Sequence, residues 1–202
     1  MHVGKSQWRH PLSREVEDCI EENRSKIEEA GRIALDCRRK GFHCSESVFT
    51  AVNQTLKITD PTMVRAVTGF HGGGGTHRKG PRINLTAALE EASSGRDRRP
   101  REELPYMQVG HLCGALASGI VCIGLLYGRR SPNDDLTCVD ELCFELHRRF
   151  VEEFAENECR PLCERWRKQN QTCETLYQRG AEMAVQLILE APHLFHDCKK
   201  RD

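Results

Sequence analysis

Eleven cysteines in a chain of 202 residues are the side chains best suited to chemistry here, because a thiolate is both a nucleophile and a soft metal ligand. The count is odd, so a fully paired disulfide framework cannot hold them all. Cys44 directly precedes Ser45-Glu46-Ser47, Cys113 opens the segment CGALASG, Cys159 precedes Arg160-Pro161, and Cys173 opens the last helical pattern. All four are expected at or near helix N-termini. There the unpaired N–H groups and the positive end of the helix dipole favour a thiolate, lower its pKa and can donate to a charged sulfur. Cys19, Cys37 and Cys122 fall inside helical patterns, as do Cys143 and Cys163, and read as buried or half-buried structural thiols. Cys138 stays open, since Thr137 and Asp140 place it at a helix start as well.

The spacing narrows the chemistry. The chain has no C-x-x-C, which removes the main support for thioredoxin-like and zinc-ribbon readings, and no C-x-x-C-H for covalent haem. A site built from four distant segments has to be assembled by the fold. An iron-sulfur cluster with four thiolate ligands is an anion, and helix starts suit anions. Two other chemistries remain open: thiol-disulfide exchange through a pair such as Cys44 and Cys113, and a structural zinc ion holding the helix starts together. Around Cys113, the residues Gly114, Ala115, Ala117, Ser118 and Gly119 carry almost no side-chain bulk. That permits tight helix packing, close approach of a cofactor to Gly114, Ala115 and Gly119, or both. Gly73 and Gly74 of the loop, with His71, are the further candidates for cofactor contact, and His77 and His111 flank the same region. The glycine loop lacks the lysine and hydroxyl signature of a phosphate-binding loop. No Ser-His-Asp pattern, carboxylate pair or metalloprotease helix stands out, so an electron carrier or redox protein is favoured over a substrate-converting enzyme.

The elements that must position these residues are helical. Val16, Ile20, Ile27, Ala30, Ala34 and Leu35 recur at helical spacing over 13–40, ending at Gly41. Further helices are expected over 45–56 and, with Pro61 just inside its start, 60–68. Residues 69–80, with four consecutive glycines, read as loop. A polar, basic stretch follows over 76–104, interrupted by a helix-like piece at 85–91 and carrying Arg96, Arg98, Arg99 and Arg101. Helical pattern resumes at 109–128 and again at 135–157, with Leu142, Leu146, Phe150 and Phe154 facing inward. A short helical turn after Pro161 and a last helix over 173–190, ended by Pro192, complete the chain. No stretch reads as a strand. The expected fold class is all-α, a compact bundle around the central glycine-rich apolar helix, with one redox domain over 1–202, its core at 12–75 and 109–191 and a basic loop insertion at 76–108.

Composition bounds the partners. Thirty Lys and Arg balance thirty Asp and Glu, so no global field draws nucleic acid or anionic lipid. The N-terminal segment has no apolar core of the kind a secretory signal needs, and a cytoplasmic location is expected. Residues 109–128 are nearly uncharged, yet their glycines, histidine and cysteines mark a buried helix, not a membrane span. The expected partners are a redox protein, met locally through a surface such as the arginine cluster, and a second copy in a homodimer.

Several short motifs agree in order. GFHCSESV at 41–48, the GFHGGGG run at 69–75, CGALASG followed by GLLYGR over 113–129, ECRPL at 158–162 and the final Cys173 together resemble the redox-active C_GCAxxG_C_C family. The resemblance runs over about residues 30–190 and implies four family cysteines, which fall on Cys44, Cys113, Cys159 and Cys173. It also implies a likeness to the cluster-binding part of split-Soret cytochrome c, with a 2Fe-2S centre and without the haem. Residues 76–108 depart from the compact family pattern as an insertion beside the site, positioned to act as a lid or docking arm.

Overall fold

Ser13 starts the first helix by accepting a hydrogen bond from the Val16 N–H at 3.4 Å, and acidic Glu15 and Glu17 in the first turn with Arg38 and Arg39 in the last complement the dipole. The computed structural model describes residues 13–78, 106–195 and 198. In chain order these give α1 (Arg14–Arg39), α2 (Cys44–Leu56), the 3-10 turns Pro61–Ala66 and Thr68–Phe70, a glycine turn α3 (His71–Gly74), β1 (Thr76–Arg78), β2 (Tyr106–Gln108), α4 (Gly114–Tyr127), α5 (Thr137–Phe154), α6 (Cys159–Lys168) and α7 (Glu174–Leu194). The class is all-α. Among the described residues before α4 the chain departs from expectation in three places: the 60–68 helix is two 3-10 turns, the loop expected over 69–80 contains the glycine turn α3, and a three-residue antiparallel ribbon is added, in which Thr76 pairs Gln108 and Arg78 pairs Tyr106. Strands that short carry no readable alternation.

The core lies where α7 packs against α1, α2, α4 and α5, while α4 packs against α2, α5 and α7. Gly31 and Gly180 bring the helices close. A methyl group on Gly31 would stand 2.1 Å from the Glu182 carboxylate of α7, and one on Gly180 would meet the Ala115 methyl at 3.2 Å. Leu142, Leu146 and Phe150 of α5 are fully buried, each contributing roughly 1.5–3 kcal/mol of apolar transfer. Among the described residues, no helix is long and apolar enough to cross a membrane. With 14 residues, α4 spans only about 21 Å at 1.5 Å per residue.

Two prolines behave differently from expectation. The short turn after Pro161 is a ten-residue helix beginning at Cys159, and Pro161 sits in its first turn, where a missing N–H costs nothing. Pro192 does not end α7, which continues to Leu194. Its missing N–H would orphan the carbonyl of Ile188, and the Tyr127 hydroxyl of α4 donates to that carbonyl at 3.3 Å. A hydrogen bond from a neighbouring helix thus replaces the one the proline removes.

Candidate functional site

Backbone pairing builds the platform for the cysteines. The glycine turn supplies three carbonyls to the segment before α4: Gly72 accepts from Gly110 N–H, Gly73 from His111 and Gly75 from Val109, at 2.9–3.0 Å. That segment in turn pairs with the start of α6. Cys159 N–H donates to His111 carbonyl at 2.6 Å, and Cys113 N–H donates to Asn157 carbonyl at 2.8 Å. Gly72 and Gly73 have φ of 65° and 74°, the left-handed region that favours glycine. A methyl group on Gly73 would lie 2.6 Å from His111 nitrogen and 2.7 Å from the Cys159 β-carbon. The four-glycine run is therefore a backbone joint that sets Cys113 beside Cys159.

Cys44 arrives from the other side. It opens α2, where the Glu46 carboxylate caps the His43 N–H at 2.9 Å and also accepts from the Thr68 hydroxyl. The buried Ser118 hydroxyl of α4 donates to Ser45 carbonyl at 2.7 Å and ties the two helix starts together. Gly114 makes the close approach: a methyl there would stand 2.6 Å from the Cys44 sulfur and 2.9 Å from the Phe70 carbonyl. From the α6 side, Cys163 Sγ lies 3.8 Å from Cys159 Sγ and 3.5 Å from Cys173 Sγ. Cys44, Cys113, Cys159 and Cys173 each feel the charge of Cys163, so five sulfurs share one electrostatic neighbourhood.

Burial decides the protonation of the first two. The Cys113 thiol is pushed up to about 12 by loss of solvent and by Cys44, although the N–H groups of Ala115 and Leu116 pull the other way. Cys44 is raised by burial as well, against donors from Gly72 and Ser45. The helix-start effect expected from the sequence is present in both, and desolvation outweighs it. In the α6 trio, hydrogen bonds from the Cys159 and Cys173 thiols hold Cys163 well below the ordinary thiol range. The same contacts push Cys159 and Cys173 up.

The remaining candidates divide between positioning and packing. The Ala115 N–H supports the Cys113 sulfur, and its methyl faces Gly180. Gly119 meets Leu146 and Ala184, a contact between α4, α5 and α7. Gly74 is exposed and faces Val109. His71 bonds to the Thr68 carbonyl at 2.7 Å and stacks on His43, the neighbour of Cys44, at 4.9 Å between ring centres. His111 is exposed and contributes its backbone. Cys138 is joined to Cys198 in a disulfide, which removes it from the ligand candidates. The side chain of His77, the arginines at 96–101 and the helix-like piece at 85–91 lie outside the described residues. Sequence reading missed Cys163, whose signal was its place one turn after Cys159 on the same helix face. It also missed Tyr177, buried within electrostatic reach of Cys44, Cys113 and Cys173.

Among the described residues, no three His, Cys, Asp or Glu side chains are gathered tightly enough to hold one metal ion. The donor set is nevertheless all sulfur, and Gly73 and Gly114 let the backbone pack so tightly against Cys159 and Cys44 that a methyl group on either would clash. The hydroxyls of Ser45 and Ser47 and the indole N–H of Trp166 are buried without a hydrogen-bond partner. They follow Cys44 and Cys163 closely in the chain. Soft sulfur donors with spare buried N–H and O–H groups nearby fit an iron-sulfur cluster.

An all-helical bundle that draws distant cysteines together at its helix starts defines a thiol-based site. Residues 105–187 match the family model described as "Putative redox-active protein (C_GCAxxG_C_C)". The match includes Cys113, Cys159, Cys163 and Cys173, and Cys44 precedes it. Neither a curated protein nor a solved structure matches the chain. The family match and the cysteine content support a redox role.

Proposed function

We propose that Cys44, Cys113, Cys159 and Cys173 hold a 2Fe-2S cluster and that the protein accepts and passes single electrons. The observation that carries this reading is that packing at Gly114 sets the Cys44 sulfur beside the start of α4, backbone pairing sets Cys113 beside Cys159, and Cys163 links Cys159 to Cys173, so four helix-start cysteines share one largely buried region. When bound, such a cluster supplies a one-electron couple whose potential follows burial and hydrogen bonding to sulfur. The N–H groups of Ala115 and Leu116 at Cys113, and of Gly72 and Ser45 at Cys44, stabilise added negative charge there. Exposed Phe42, Phe70 and Val109 belong to the segments that carry the site and offer apolar contact to a redox partner. Phe144 and Val151, exposed seven residues apart on one face of α5, are the surface we assign to a homodimer.

Anaerobic reconstitution with iron and sulfide tests the reading. A brown protein that bleaches on reduction, and that stays colourless when Cys44 or Cys113 becomes serine, supports it. Wild-type protein that remains colourless, or that takes up zinc and neither iron nor sulfide, overturns it. A second reading, cluster-free thiol-disulfide chemistry, is favoured by the 3.5 Å approach of Cys163 to Cys173. It predicts loss of two hydrogens from metal-free protein on oxidation, read by mass.

A further inference from the structure

The site holds one more sulfur than a four-thiolate cluster uses. Tetrahedral coordination with metal–sulfur bonds of about 2.3 Å places neighbouring thiolates about 3.8 Å apart. Cys163 stands at 3.8 Å from Cys159 and 3.5 Å from Cys173, so each pair spans close to one such edge. Its position is held by a helix: it lies one turn beyond Cys159 on α6, on the same face. The left-handed turn at Asn170, φ 54°, then reverses the chain and returns Cys173 to it. A cysteine that served only as core filling would be surrounded by apolar side chains. Cys163 Sγ instead has two sulfurs of the site within 3.8 Å.

Resting on the cluster reading above, we propose that Cys163 is a fifth metal-ligating residue, interchangeable with Cys173 at one coordination position. The four-cysteine family pattern has no place for it. Whichever of the two is bound, the other remains a sulfur's width away, so the site keeps a resident replacement ligand. Loss of Cys173 then leaves the cluster attached through Cys163. Loss of both leaves that position without sulfur.

The test compares wild type, C163S, C173S and C163S/C173S after anaerobic reconstitution, with C122S as a buried control whose thiol has no cysteine neighbour among its charge partners. Iron, acid-labile sulfide and the visible and EPR spectra are measured on protein whose helicity matches wild type. C173S is expected to retain most of the wild-type iron with a shifted spectrum, and the double variant to fall at least tenfold below it. A double variant equal to C173S, or a C173S protein as empty as the double, overturns the inference. Should wild type itself take up no cluster, the proposed function fails separately and cobalt(II) binding decides on Cys163. Thiolate-to-cobalt charge-transfer intensity then has to persist in C173S and drop in C163S/C173S but not in C122S, and a C173S band as weak as that of the double variant refutes the assignment.

Discussion

The Cys44 sulfur rests against the α-carbon of Gly114, so near that a β-carbon there would come within 2.6 Å of it. Contacts that short are not made between real side-chain carbons and sulfur, so either the sulfur or the start of α4 has to move. Gly114→Ala is expected to abolish or strongly reduce cluster uptake while leaving helicity intact. Gly124, later in the same helix, has open space where its β-carbon would go. Gly124→Ala is expected to leave uptake unchanged and to stabilise the fold by about 0.5–1 kcal/mol. Iron content and urea midpoints of the two variants check the contrast.

The buried Arg149–Glu190 pair, at 2.6 Å with side chains 16% and 1% exposed, carries a second prediction. Removing the guanidinium as Arg149→Leu leaves Glu190 charged in the core, at a cost of about 3–5 kcal/mol. The double variant Arg149→Leu/Glu190→Gln is expected to recover a large part of that. Equilibrium unfolding measures both.

Metal-free protein is expected to lose stability at alkaline pH. Burial raises Cys113 and Cys122 to about 12 and Cys143 to about 11, above the unfolded thiol value of about 8.5. A raised folded pKa stabilises fully below the unfolded value and is lost as pH climbs through the folded one. Each such thiol then costs up to about 1.4 kcal/mol per pH unit between those limits. Urea midpoints at pH 8 and 10 test this, and Cys122→Ala is expected to flatten the slope.

Much of the bundle was legible in the sequence, because amphipathic spacing sets the buried faces of α1, α5 and α7, and caps such as Ser13 set their starts. The placing of Cys44, Cys113, Cys159 and Cys173 at helix starts was legible from local physics, and the structure has each of them there. What was not legible depends on partners far along the chain. Cys163 read as a helix-body thiol because the same spacing that puts it in α6 gives no hint of the turn at Asn170 that returns Cys173 to it. Pro192 read as a stop because its compensating donor, Tyr127, lies 61 residues upstream. Helix starts do favour thiolates, but the depth of Cys44 and Cys113 is a property of the packed structure and reverses the net shift.

The Cys138–Cys198 disulfide closes a loop spanning 60 residues, which by chain entropy stabilises the fold by about 4 kcal/mol. It joins residues that the sulfur site does not use. Cys138→Ser/Cys198→Ser is expected to lower the unfolding midpoint and leave cluster content unchanged, as read by thermal melting and iron analysis.

The most direct test of the central claim is iron and acid-labile sulfide analysis, with an EPR spectrum, of protein purified without oxygen. The account predicts iron and sulfide in equal amounts, about two of each per chain for a 2Fe-2S centre, with an EPR signal that appears on one-electron reduction and is absent from Cys113→Ser. Wild-type protein free of both iron and sulfide, after reconstitution as well as before it, would contradict the account.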